Sequence, residues 1–225
     1  MPQWTVGEFF EQIERHRVGI AFTIGPHAPI IAGYEGIKDH DLSSLRCFLT
    51  LIGAEGIEKA TGVTSINMFG ITEGLVLTST PHDPPELRHG TIGQRCSAHD
   101  EVKLLDIDSE EEVAPGETGE LCFRGPSSLA GYFAAPDVNA VSFSRDGFFR
   151  TGDLVSSKLV DGVPTYTFEG RVKDNINRGG EKIAATEVEG HLLAHPAVRQ
   201  AALVGVPDEQ WGEAPAAVLV CAGPP

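Results

Sequence analysis

An α/β fold with α+β additions is what this sequence predicts, on three observations. Apolar residues recur first at helical and then at strand spacing over the first third of the chain. Short strands divided by turns take over after Gly93, and a glycine-rich polar run near Phe168 leads into a helix and two more strands. The expected order is a partial α/β layer over residues 1–92 and a small antiparallel β-barrel over 93–169. A hinge at 170–173 and an incomplete α+β domain over 174–225 follow.

Each element has its own signal. Val6, Phe9, Phe10 and Ile13 share one helical face within residues 6–17, and 18–23 reads as a buried strand. Residues 45–52 give a second strand, 55–60 a short helix and 63–68 a third strand, the alternation of a parallel layer. Residues 102–107, 119–123, 148–150, 154–159 and 165–168 read as barrel strands. The acidic stretch 106–112 precedes Pro115-Gly116 and reads as a solvated hairpin tip. A hairpin around Gly179-Gly180 leads to a helix over 187–194, whose Thr186-Glu187-Val188-Glu189 start has the form of a capping box. Residues 198–206 and 216–220 complete the pattern as strands.

Composition narrows the function. Hydrophobic residues at 41% and charged residues at 22% of 225 describe a chain that folds, despite 26 glycines and 15 prolines. A net charge of −15 excludes general attraction to nucleic-acid backbones or anionic membranes, while leaving a locally bound nucleotide open. Glu8, Glu11 and Glu14 interrupt the N-terminal stretch, so neither a signal peptide nor a membrane span is expected and the cytoplasm is the default. Cys47, Cys96, Cys122 and Cys221 lack Cys-x-x-Cys spacing and read as reduced thiols. His191 and His195 lie four apart without a third ligand, which argues against a metal site there.

Three polar stretches could carry chemistry. Between Phe168 and Ile183, Arg171, Lys173 and Arg178 supply donors for hydroxyls, phosphates or carboxylates, and Gly179-Gly180 admits close backbone approach; an exposed charged hairpin is the alternative. After the predicted strand ending near Met68, Gly70 lets the backbone approach a flat ring. Thr72 can donate to a phosphate oxygen and Glu73 can hold a hard cation such as magnesium, unless this is an ordinary strand exit. Asp153, following Gly152 and expected exposed at a strand end, has acceptors for the two hydroxyls of a ribose, or is a turn aspartate.

Taken in order, residues 69–73, Gly119-Glu120-Leu121 with Gly131-Tyr132, Thr151-Gly152-Asp153 and residues 170–189 resemble successive signatures of the AMP-forming adenylating enzymes. That superfamily includes acyl-CoA synthetases, luciferases and adenylation domains. Arg178-Gly179-Gly180-Glu181-Lys182 and His191-Leu192-Leu193-Ala194-His195-Pro196 are most similar to the aryl-acid branch, which includes 2,3-dihydroxybenzoate–AMP ligases. The resemblance implies that a small carboxylic acid, an aryl acid by preference, reacts with ATP and Mg2+ to give an acyl-adenylate and pyrophosphate. The acyl group then passes to the thiol of CoA or of a phosphopantetheine carrier protein. By position it puts Thr72 at the α-phosphate, Glu73 on magnesium, and Asp153 and Arg171 on the ribose. Gly53, Ala54 and Gly70 would line the acyl and adenine pocket, Lys173 would sit at the hinge, and Gly179 and Gly180 would flank the pantetheine arm.

The sequence also departs from that family. A glycine-rich phosphate loop is missing, since Ser43-Ser44 and Thr78-Ser79-Thr80 lack the surrounding glycines and lysine, and Lys182 lies in the wrong motif to act as the C-terminal catalytic lysine. Ile52-Gly53-Ala54 replaces a double glycine, and the segment between Ala54 and Gly70 is shorter by roughly two helical turns. Little adenylation is therefore expected of this chain alone. Apolar surface left uncovered on the first layer predicts self-association or a covering partner, such as a separately encoded N-terminal half. The competing expectations are a noncatalytic module that binds an adenylate, a carrier protein or a full-length relative, and a truncated product without activity.

Overall fold

Thr5 starts the first helix: its Oγ1 accepts the Glu8 N–H at 3.3 Å, and α1 (Val6–His16) then carries Glu8 in its first turn and Arg15 and His16 in its last. These features come from a computed structural model that describes residues 4–24, 27–179 and 181–221. Gly180 and the side chain of Lys182 lie outside the described set. Two compact units result, one of Met1–Glu101, Arg124–Gly131 and Lys158–Thr167, the other of Val102–Phe123, Tyr132–Ser157 and Phe168–Pro225.

In the first unit, β1 (Ile20–Thr23), α2 (His27–Ala32), β2 (Cys47–Thr50), α3 (Ala54–Thr61) and β3 (Ser65–Gly70) give the expected alternation. The strands β1, β2 and β3 are neighbours and run parallel. Beyond them β4 (Val76–Thr78), α4 (Pro85–Gly90) and β5 (Gln94–Arg95) extend the sheet antiparallel, in the order β1-β2-β3-β4-β5. Phe10 and Ile13 of α1 pack with Ala21, Ile31, Phe48 and Ile57 to form the core. The first strand is not wholly buried as expected: Ala21 and Thr23 face the core, whereas Ile20 and Phe22 are each 54% exposed on the other face of an edge strand.

A second sheet takes the order β6-β7-β8-β9, from β6 (Glu101–Leu105), β7 (Thr118–Arg124), β8 (Phe149–Val160) and β9 (Val163–Arg171), with α5 (Pro136–Val141) between β7 and β8. It corrects the expected barrel. Among the described residues no pairing joins β6 to β9, and four strands are too few to close around a filled interior. The strands expected at 148–150 and 154–159 are one 12-residue strand, because Gly152 at φ 72 makes a bulge rather than a break. The acidic stretch is only partly a solvated tip. Asp106 Oδ1 accepts the N–H groups of Asp108 and Ser109, but Glu110 turns inward to Arg150.

After a short 3₁₀ turn at Val172–Asp174 come β10 (Asn175–Arg178), β11 (Glu181–Ala184), α6 (Ala185–Leu193), β12 (Val198–Asp208) and β13 (Gly212–Cys221). Their sheet order is β11-β10-β13-β12, and Ile176, Ala185 and Leu203 form the core under α6. The capping box does not form. Ala184 is the N-cap without a side-chain bond; Thr186 Oγ1 donates to Glu169 O at 2.9 Å and Glu189 Oε1 accepts the Leu203 N–H at 2.7 Å. Both side chains thus tie the helix to neighbouring strands instead of satisfying its own first turn. His191 Nδ1 meets Glu187 O and His195 Nδ1 accepts the Ala197 N–H, both local bonds. All four cysteines are free thiols, and burial pushes that of Cys122 up to about 12. No helix among the described residues is long and apolar enough to cross a membrane.

Candidate functional site

Gly70, Thr72 and Glu73 sit where β3 turns back into β4. The Gly74 N–H bonds Ile71 O at 3.2 Å, and the Leu129 N–H bonds Glu73 O at 2.9 Å, so the turn is pinned from within and from the 124–131 segment. Gly74 has φ 144, and a Cβ there would stand 2.3 Å from Ser127 O, a separation that no side chain tolerates. Thr72 is exposed and Glu73 half-buried on this rigid turn. Packing within the protein does not demand glycine at 70, where a Cβ would make only ordinary contact with Met68 Cε at 3.8 Å. Gly53 caps α3 at φ 83, with Ala28 Cβ 2.9 Å from where its own Cβ would be. Ala54 is buried, and its N–H donates to Asn67 Oδ1 at 3.1 Å, which joins the helix start to β3.

The sequence placed Asp153 exposed at a strand end; the structure places it inside β8 at 1% exposure. The pairing of β7 with β8 shows how. Glu120 stands opposite Leu154 and Cys122 opposite Arg150, so Thr151, Gly152 and Asp153 together face Leu121 alone. This bulge turns the Asp153 carboxylate inward. Its Oδ1 accepts Arg171 Nε at 2.8 Å, whereas its buried Oδ2 has no hydrogen-bond partner. Burial pushes the Asp153 carboxyl above the usual range, and the Arg171 guanidinium opposes that rise. A buried carboxylate oxygen lacking a donor is costly by itself and is suited to an incoming hydroxyl.

Three residues to which the sequence reading gave no function surround the bulge. Arg150 donates to Glu120 Oε2 from Nε at 2.9 Å and from Nη2 at 2.6 Å, and from Nη1 to Glu110 Oε1 at 3.0 Å. Glu120 Oε1 also accepts the Gly152 N–H at 3.1 Å. The signal lay within and beside the motifs: a glutamate inside Gly119-Glu120-Leu121 and an arginine directly before Thr151-Gly152-Asp153.

Lys173 is exposed on the 3₁₀ turn and lines a cavity of about 290 Å³ with Asp174, Glu189, Leu203 and Glu213. Gly179, at φ 63, donates its N–H to Trp211 O at 2.7 Å, and a Cβ there would fall 2.6 Å from Trp211 Cε3. The Arg178 guanidinium lies 4.6 Å from the centre of the same indole. Gly53, Ala54, Gly70, Thr72 and Glu73 therefore belong to the first unit, and Asp153, Arg171, Lys173 and Gly179 to the second. Within the second unit the structure brings Asp153 and Arg171 into direct contact.

Known proteins resemble the chain along most of its length. It is 42% identical over 218 residues to 2,3-dihydroxybenzoate-AMP ligase of Bacillus subtilis, covering 94% of this chain and 40% of that protein. The apo structure of MbtA from Mycobacterium smegmatis aligns with TM-score 0.66 and 37% identity over 97% of this chain and 41% of its own. Amide bond synthetase McbA from Marinactinospora thermotolerans aligns with TM-score 0.84 and 29% identity over 99% and 46% of the two chains. The chain thus spans less than half the length of these relatives. The AMP-binding enzyme family matches residues 1–133 and its C-terminal domain matches residues 187–225, so this chain belongs to the AMP-binding enzymes.

Proposed function

We propose that the chain holds the adenylate of an AMP-forming carboxylic acid ligase. Asp153 accepts from the ribose hydroxyls and Arg171, anchored on Asp153 Oδ1, adds a donor beside them. Thr72 donates to the α-phosphate from the pinned turn, and Gly70, where glycine is not required by internal packing, leaves the adenine ring room to lie against the backbone. Gly53 and Ala54 border the acyl side. The observation that carries this reading is the Asp153 carboxylate: one oxygen is fixed by an arginine and the other, buried, lacks a donor.

Magnesium fits the residues present. It keeps several waters and takes one or two carboxylates with substrate phosphates, so the single carboxylate of Glu73 beside the Thr72 hydroxyl is a suitable donor set. When bound, the ion would neutralise developing charge on the phosphate oxygens. The chain's own task is to fix the turn that carries Glu73, and the bonds of Gly74 to Ile71 O and of Leu129 to Glu73 O hold its backbone. Aryl acids are the proposed substrates and CoA or a phosphopantetheine carrier protein the proposed acceptor, supported by the 2,3-dihydroxybenzoate-AMP ligase among the relatives. Lys173 is the proposed hinge, with Gly179 and Gly180 beside the pantetheine arm.

Titration calorimetry with AMP tests the ribose assignment. Asp153→Ala should weaken binding by about tenfold or more, the worth of a hydrogen bond to a charged group. Equal affinity of the two proteins would overturn it.

A further inference from the structure

We infer that Glu120, locked by Arg150, is a positioning residue for Asp153 and thereby sets recognition of the vicinal diol. The inference rests on the reading of Asp153 as the ribose acceptor.

A bulge of three residues against one removes backbone N–H groups from the ladder, and in a buried strand each needs another acceptor. Here side chains supply them. Glu120 Oε1 takes the Gly152 N–H at 3.1 Å. Thr151 Oγ1 takes the Asp153 N–H at 3.0 Å while donating to Leu121 O at 2.9 Å. Apart from its chain neighbours, no atom lies within 4 Å of where a Gly152 Cβ would be, so no other segment packs against that side of the left-handed residue. The bulge holds its shape through these bonds.

Glu120 can do this only because it is itself held. Its side chain is 5% exposed, a depth at which a lone carboxylate would be costly. The Arg150 fork satisfies Oε2 twice and leaves Oε1 directed at Gly152. The third arm of Arg150 reaches Glu110, which is 40 residues away in sequence and belongs to the acidic hairpin. Glu110 also accepts the Arg145 N–H at 3.2 Å, so the arginine cannot swing freely. The chain of contacts Glu110–Arg150–Glu120–Gly152 thus ends one residue before the carboxylate it aims.

The test uses the full chain and two probes, AMP and dideoxy-AMP, which lacks both ribose hydroxyls. The wild-type protein should prefer AMP by about tenfold or more. Glu120→Gln keeps an acceptor but turns an amide N–H toward Arg150; it should reduce that preference to about twofold or less while dideoxy-AMP affinity stays unchanged. Arg150→Lys, which keeps the charge without the fork, should retain only part of the preference. A parallel loss for both probes, or an undiminished preference, would overturn the positioning role. Amide hydrogen exchange reads the bulge independently of any nucleotide. Glu120→Gln should accelerate exchange at Gly152 and Asp153 by about tenfold and leave β12 and β13 unchanged. Unaltered exchange at Gly152 would also overturn the inference. Should the wild-type protein fail to distinguish the probes, the ribose reading falls, and the Gly152 exchange alone decides whether Glu120 holds the bulge. Glu110→Gln, which loosens only the outer arm, should show the same pattern at smaller size and serves if Glu120→Gln does not fold.

Discussion

The turn that carries Thr72 and Glu73 and the bulge that carries Asp153, both proposed to meet the adenylate, are held by opposite means. In the first unit, Gly74 is wedged against the backbone of Ser127 and Ser128, so the Thr72–Glu73 turn is fixed by contact between main chains. In the second, Gly152 touches nothing where a side chain would be, and the Asp153 bulge is fixed by backbone N–H groups that donate to a buried carboxylate and a hydroxyl. A wedge has no adjustable part. A carboxylate latch can be loosened by charge, by substitution or by protonation.

The first unit contains a latch of the same chemistry applied to a different end. Glu58 accepts the Ser65 N–H at 2.7 Å and an Arg88 fork, while Arg88 also donates to Ser65 O and Asp83 O. It joins α3, β3 and α4 and presents no proposed ligand group. Comparing it with Glu120 separates what an arginine–carboxylate latch does for stability from the role in binding proposed for Glu120.

The largest effect should come from the wedge. Gly74→Ala should cost roughly 4 kcal/mol, because backbone must move and the residue must hold an unfavourable φ; a thermal melt shows it as a large fall in Tm. A fall of only a few degrees would mean that the turn yields and that its rigidity is not what holds Glu73.

Next comes the latch without a ligand. The Arg88 hydrogen bond holds the Glu58 carboxyl down to about 2, from an ordinary value of 4.5. A carboxyl lowered on folding contributes its stability above the unfolded value and loses it as pH falls through the folded one, so the loss should run from about pH 5 to about pH 2. Roughly 3 kcal/mol is at stake. Denaturant unfolding of the wild type and of Glu58→Gln should therefore converge toward pH 2 and diverge by about that amount at pH 7. A constant gap across that range would show that Glu58 contributes by packing instead.

The smallest effect belongs to the bulge. Gly152→Ala has room for its methyl group and bears only the cost of a left-handed backbone, about 1–2 kcal/mol. Urea midpoints should show the stability loss, which is well below that of Gly74→Ala. If the two alanine variants lose stability equally, the distinction between wedge and latch is wrong.

The parallel layer was legible because helical and strand periods alternate cleanly from Val6 to Gly70. The antiparallel extension was not, since Val76–Thr78 and Gln94–Arg95 are too short to show a period. Gly152 punctuates the sequence like a turn, so β8 was read as two strands and Asp153 as an exposed end. Thr186 and Glu189 have capping-box spacing, but their partners, Glu169 and Leu203, come from other elements and leave no mark on local spacing. The same holds for the long-range pairing of Glu110 with Arg150, which the acidic stretch conceals as a charge run. The candidate residues were legible as ordered motifs, whereas the contacts of Glu110, Arg150 and Glu120 around Asp153 required pairing register.

Trp211, which seats the Gly179 hairpin and stacks with Arg178, has a practical consequence. The chain contains two tryptophans, Trp4 in the first unit and Trp211 in the second. Replacing either with phenylalanine leaves one intrinsic fluorophore reporting on a single half of the molecule, so the melting of each half can be followed by emission without any attached label.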